Sequence, residues 1–200
     1  MININLYIFD TRNKKIDEAE LHRFLSNEDI SSLSKYKNEQ TRLEKLISMY
    51  LKRKYIGEYY LSKDDKPLSN NIFFNISHSG GVIALATSKE YPIGLDIEVI
   101  RDYKDDLAKY ISNEDEIKYI NDNKSFFEIW TSKEALMKCL GSGLSTNIKD
   151  IPALPLNDIK QYKGKTYSNK SLIYNDVMIN VTLEIDKIFK ITKHIEATLL

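Results

Sequence analysis

The chain has a single cysteine in 200 residues, Cys139, so no intrachain disulfide can form, and the reducing cytoplasm is the expected setting. It has no excess charge of either sign. Lys+Arg and Asp+Glu both number 29, and the formal net charge is zero. A general nucleic-acid or membrane-surface role calls for a basic surplus, so neither partner is expected, although local basic pockets remain open. No apolar run approaches the roughly 20 residues that a bilayer span requires. The opening MININLYIFDTRNKK lacks the basic stretch and apolar core of a secretory signal. One cysteine and three scattered histidines exclude the usual zinc patterns. There is no GxSxG, no low-complexity segment, no flexible linker and no sequence repeat between the halves.

The composition, 42% hydrophobic and 29% charged, is that of an ordinary globular protein. The length suits one large domain or two small lobes. INLYIF at 4–9 predicts a first strand, and 17–36 predicts short helices with a capped start at Ser26. Residues 38–56 form the clearest helix, with Leu43, Leu46, Ile47 and Tyr50 at helical spacing and Gly57 as its stop. IFFNIS at 72–77, VIALAT at 82–87 and IGLDIEVI at 93–100, separated by SHSGG and SKEYP, predict a three-stranded antiparallel meander. Residues 103–121 and 124–140 read as helical, and the tail (SLIY, VMINVTLEI, HIEATLL) as mostly strand. Each half thus repeats a helix-then-strands plan. The expected fold is α+β, with two related lobes at 1–100 and 101–200.

Three constellations carry chemistry. In GLDIE, Asp96 and Glu98 lie two apart on a strand and share a face, with Leu95 and Ile97 on the other. Paired carboxylates suit a hard cation such as Mg²⁺, whose shell phosphate oxygens and water would complete, or else they simply face solvent. In FNISHSGG, Ser77, His78 and Ser79 precede two glycines, which suits a phosphate or a plain hairpin turn. In WTSKEALMK, Trp130, Glu134 and Lys138 advance about 40° per step and form one stripe. Glu134 and Lys138 could form a simple i,i+4 ion pair. Lys133 falls among Ile129, Met137 and Leu140, and that pair leaves it unexplained. Gly141 and Gly143 follow this helix, so they read as a stop and a turn, because a phosphate cradle needs a helix N-terminus. Cys139 sits on an apolar helix without a neighbouring histidine and reads as core.

FNISHSG at 74–80, IGLDIE at 93–98 and WTSKEALMK at 130–138 followed by GSGL, together with Lys66–Pro67, resemble the motifs of the 4′-phosphopantetheinyl transferases, in the larger single-chain form that activates peptide and polyketide synthetases. The strong motifs span about 65 residues in the family's order. The resemblance implies a pseudo-twofold pair of α+β lobes with small, mainly antiparallel sheets and the active site between them. It implies a Mg²⁺-dependent transfer of the phosphopantetheine group from coenzyme A to a serine hydroxyl of an apo acyl or peptidyl carrier protein, releasing adenosine 3′,5′-bisphosphate. By the same resemblance Asp96, Glu98 and Glu134 are expected to hold the metal, with base catalysis as Glu134's other possible role. Lys133 and Lys138 would neutralise the diphosphate. Ser77, His78 and Arg42 would approach the 3′-phosphate, and Lys66–Pro67 the adenine. Asp65 stands where a glycine commonly precedes that Lys–Pro pair. Two lobes in one chain make a monomer sufficient. A catalytically inactive carrier-binding relative and a Mg²⁺-dependent nucleotide-diphosphate hydrolase are the competing readings.

Overall fold

The structure is a computed structural model. It describes residues 2–12, 15–62, 67–141 and 147–195. The first half runs β1 (Ile2–Asp10), α1 (Glu18–His22), α2 (Asn27–Leu33), α3 (Glu39–Tyr55), a two-stranded ribbon β2 (Tyr60–Leu61) and β3 (Pro67–Leu68), then β4 (Phe73–Ser79), β5 (Val82–Ser88) and β6 (Ile93–Val99). The second runs α4 (Asp105–Ile111), α5 (Glu114–Tyr119), α6 (Asn123–Leu140), a 3₁₀ turn (Ile148–Asp150), β7 (Ile159–Tyr162), β8 (Lys165–Tyr174), β9 (Val177–Leu183) and β10 (Phe189–Ile195). The fold is mixed α+β, as expected. No helix among the described residues is long and apolar enough to cross a membrane.

Local chemistry sets the element ends. Ser26 and Asp29 form the capping box that starts α2, and Asn38 caps α3 through Thr41 N. Gly57, at φ +80°, follows the last turn of α3. Gly80 and Gly81, both at positive φ, make the two-residue turn between β4 and β5.

Two four-stranded sheets result, ordered β10-β1-β5-β4 and β6-β9-β8-β7. They face each other across one core: Ile4, Leu6, Ile8, Ala84 and Ala86 of the first meet Leu95, Ile97, Ile179 and Val181 of the second. On its outer face the first sheet carries Phe9, Phe74, Ile83 and Leu85, packed on Leu21, Leu33, Leu46, Ile47 and Tyr50 of α1–α3. Burial on both faces explains why VIALA, residues 82–86, is apolar throughout. The second sheet is covered on its outer face by α6, whose Phe126, Phe127 and Ile129 cluster with Met178 of β9 and with Ala108 and Ile111 of α4.

The meander expectation holds for β4 and β5 and fails for β6, which pairs antiparallel with β9. Both edges of β5 are already taken, by β1 and β4. β6 instead lies against β4 through side chains. Asn75 Oδ1, Ser77 Oγ and Ser79 Oγ accept hydrogen bonds from the N–H groups of Leu95, Ile97 and Val99 at 3.1, 3.4 and 3.2 Å. Alternate polar residues of NISHS thus satisfy donors on the edge of β6 that no strand covers. Strand pairing also crosses the midpoint of the chain. β6 belongs to the second sheet, and β10 lies parallel to β1 in the first.

Candidate active site

β6 presents Gly94, Asp96 and Glu98 on the face opposite Leu95 and Ile97, and α6 lies across it. Asp96 is 5% exposed. Its Oδ1 accepts hydrogen bonds from Lys138 Nζ at 2.6 Å and from Ser77 Oγ at 3.0 Å, and Lys138 Nζ also reaches Ser77 Oγ at 3.1 Å. Three elements therefore converge on one buried carboxylate. Burial pushes the Asp96 carboxyl up to about 6; the Lys138 ammonium pulls against this, while Glu134 and Glu98 add to the rise. Glu98 accepts from Ser79 Oγ at 2.8 Å and from Arg101 at 3.0 Å. Glu134, half-buried one helical turn before Lys138, is raised by burial and by Glu98, with Lys138 opposing.

Among the described residues, no three His, Cys, Asp or Glu side chains already stand together as a metal site. The donor set nevertheless suits a hard divalent cation. Asp96 Oδ2 is buried without a hydrogen-bond partner, and the Glu98 and Glu134 carboxylates raise its proton affinity from nearby. A buried, unpaired carboxylate oxygen next to two further carboxylates is stabilised by positive charge, which Lys138 supplies on the Oδ1 side.

Strand alternation splits SHS. Ser77 and Ser79 turn toward β6, while His78 turns the other way, toward α3, with Nδ1 3.3 Å from Glu44 Oε2. Partial burial holds the His78 imidazole below its usual pKa, with Lys45 and Lys138 acting in the same direction and Glu44 and Glu98 against it. The three residues therefore do not act as one cradle at a turn. Arg42 also lies on α3, its guanidinium bound in a fork by Glu18 at 2.7 and 2.8 Å. Pro67 lines a separate apolar cavity of about 230 Å³ with Tyr60, Phe73, Ile93 and Cys139. Lys66 lies outside the described residues, as does Gly143.

Lys133 is the clear correction. It is 0% exposed and points away from Asp96 and Lys138, into the packing beneath α6. Its ammonium pairs with Glu116 at 2.8 Å and donates to the carbonyls of Ile148 and Ile151 at 3.1 and 2.6 Å. Burial lowers its pKa, against the Glu116 carboxylate that holds it up. The helical spacing that puts Lys133 on the apolar face is thus obeyed, and a buried carboxylate receives the charge. Glu116 also accepts from Asn113 N and Ala153 N. Lys160 on β7 donates to Ser132 Oγ and to the carbonyls of Pro152 and Ala153. Two lysines and one glutamate therefore clamp 148–153 to the underside of α6.

Several participants were not singled out from sequence. Glu44 and Lys45 come to His78 only through tertiary packing, and so does Glu116 to Lys133; no local pattern reveals either.

Known proteins match the segments that carry these residues in sequence. The 4′-phosphopantetheinyl transferase superfamily matches residues 92–180, which contain β6, α6 and the start of β9. The chain is similar to the 4′-phosphopantetheinyl transferase gsp of Aneurinibacillus migulanus, at 31% identity over 137 residues, 60% of this chain and 57% of that one. It is similar to the 4′-phosphopantetheinyl transferase psf-1 of Bacillus pumilus, at 26% identity over 169 residues, 75% and 72% of the respective chains. Similarity to AcpT of Salmonella typhi reaches 40% over 78 residues, 35% of this chain and 41% of that one. The chain thus spans little more than half the length of gsp, and more of psf-1.

Proposed function

This chain is a relative of the 4′-phosphopantetheinyl transferases, of the gsp and psf-1 type, and from that premise we propose that it transfers phosphopantetheine from coenzyme A to a serine of an apo carrier protein. The observation that carries the proposal is the buried Asp96 carboxylate, clasped by Lys138 and Ser77 and flanked by Glu98 and Glu134, inside the matched segment. An anionic diphosphate needs positive charge held in a partly dry place, and a reacting serine needs a base.

Asp96 and Glu98 would hold Mg²⁺, whose charge would offset that of the diphosphate, leaving Glu134 to act as the base. Ser77 fixes the Asp96 carboxylate through its hydroxyl. Lys138, 31% exposed at its side chain and carrying its ammonium on a flexible four-carbon stem, can direct that ammonium from Asp96 to a diphosphate oxygen and stabilise the charge that grows as the P–O bond breaks. Glu134 has its proton affinity raised by burial, which suits a base. In the reaction the carrier serine Oγ bonds to the β-phosphorus, and the bond from that phosphorus to the bridging oxygen breaks. The serine proton passes to Glu134, and adenosine 3′,5′-bisphosphate leaves. His78 on β4, with Lys45 nearby, and Arg42 on α3, once released from Glu18, would approach the 3′-phosphate. Pro67 and Lys66 would border the adenine.

In this reading 1–100 and 101–200 are two lobes related by a pseudo-twofold axis, each lending one strand to the other's sheet, and the protein acts as a cytoplasmic monomer. The test is incubation with coenzyme A, Mg²⁺ and an apo carrier protein, followed by intact-protein mass spectrometry. Addition of one phosphopantetheine group to the carrier serine supports the proposal. Release of free phosphopantetheine with an unmodified carrier would favour hydrolysis instead.

A further inference from the structure

Gly94 shares a face of β6 with Asp96 and Glu98, and it is paired in the regular ladder opposite Thr182. A glycine inside a strand is unfavourable unless something needs the room. Here the need is spatial: the Gly94 backbone has no positive φ. A Cβ at this position would stand 1.9 Å from the carbonyl oxygen of Ala135 and 2.5 Å from the amide nitrogen of Cys139. Both are backbone atoms of α6, so no side-chain rotation can clear them. Ala135 and Cys139 are the immediate neighbours of Glu134 and Lys138. Cys139 Sγ also donates to Pro92 O at 3.4 Å, fastening the same seam.

We propose that Gly94 is a positioning residue: its missing side chain sets how closely α6 lies on β6, and so places Lys138 and Glu134 against Asp96 and Glu98. The catalytic meaning of this spacing rests on the proposed transfer, whereas the spacing itself does not. The contact that reports on it is the 2.6 Å pair of Lys138 with Asp96, which a helix pushed away from β6 would weaken.

The experiment is a double-mutant cycle of Asp96→Asn and Lys138→Met, read as shifts in the urea midpoint, in three backgrounds: the unchanged chain, Gly94→Ala, and Leu95→Ala. Leu95 lies on the opposite face of β6, in the core between the sheets, so its truncation destabilises without wedging α6. The two substitutions are expected to be non-additive in the unchanged and Leu95→Ala backgrounds and additive in Gly94→Ala. Cys139→Leu widens the same seam from the helix side and takes the place of Gly94→Ala if that variant does not fold. Coupling that survives in the wedged background would overturn the proposal. Transfer assays on the same proteins should show about a hundredfold loss of kcat for Gly94→Ala, and far less for Leu95→Ala. Absence of transfer in the unchanged chain would refute the proposed activity and leave the coupling result to decide on Gly94.

Discussion

Lys133 and Glu116 offer a test in which sequence motif and structure point in opposite directions. Replacing Lys133 by Met leaves Glu116, itself 0% exposed, as a buried carboxylate whose remaining hydrogen-bond donors among the described residues are the amides of Asn113 and Ala153, with Lys160 as a nearby cation. Breaking a buried pair from one side costs about 3–5 kcal/mol. For a chain of this size about 2–4 °C is lost per kcal/mol, so the melting temperature should fall by roughly 6–20 °C. The double variant Lys133→Met/Glu116→Gln should recover much of that loss, because it buries no unpaired charge. Urea unfolding at neutral pH gives the free energies, and steady-state kinetics well below the midpoint give kcat and KM for coenzyme A. The structure predicts a large stability loss with KM little changed. A loss under about 1 kcal/mol combined with a large rise in KM would refute it, returning Lys133 to the diphosphate.

Three further outcomes follow from the geometry. Burial pushes Lys160 down to about 7, whereas an unfolded lysine titrates near 10.4. The unfolded chain therefore binds the extra proton between these values, and the Lys160 contribution to stability rises with pH across that window by at most ~1.4 kcal/mol per unit; urea titrations at several pH values should show the slope, and Lys160→Met should flatten it. Ser77→Ala removes the hydroxyl that joins Asp96, Lys138 and the Ile97 amide, and should cost about 1–3 kcal/mol in urea unfolding; a neutral effect would contradict the account of the β4–β6 seam. Glu134→Gln should lower kcat by about a hundred- to ten-thousandfold with the melting curve nearly unchanged, and near-normal turnover would remove Glu134 from the chemistry.

Much of the fold was legible because its signals are local. The cap at Ser26, the Gly57 stop and the β-branched and aromatic run of β1 can each be read within a few residues. The partner of β6 was not, because pairing with β9 joins residues 78 to 90 positions apart and depends on β5 being already flanked. Of the candidate site, Asp96 and Glu98 on one strand and Glu134 and Lys138 on one helix were grouped by face-sharing, and their roles were what the resemblance implied. Lys133 shows the limit of that reasoning. Helical geometry correctly put it on the apolar side, but the charge that receives it comes from Glu116, on another helix. Likewise NISHS carries the right residues, and its backbone period assigns the serines to β6 and the histidine to α3.

The central claim is that Asp96, Lys138 and Glu134 make a Mg²⁺-dependent site for phosphopantetheine transfer. Intact-mass measurement of an apo carrier protein after incubation with this protein and coenzyme A, with and without Mg²⁺, tests it most directly. The account predicts one added phosphopantetheine group per carrier with Mg²⁺, none with a chelator, and none with Asp96→Ala. An unmodified carrier with Mg²⁺ present, or modification that persists in Asp96→Ala, would contradict it.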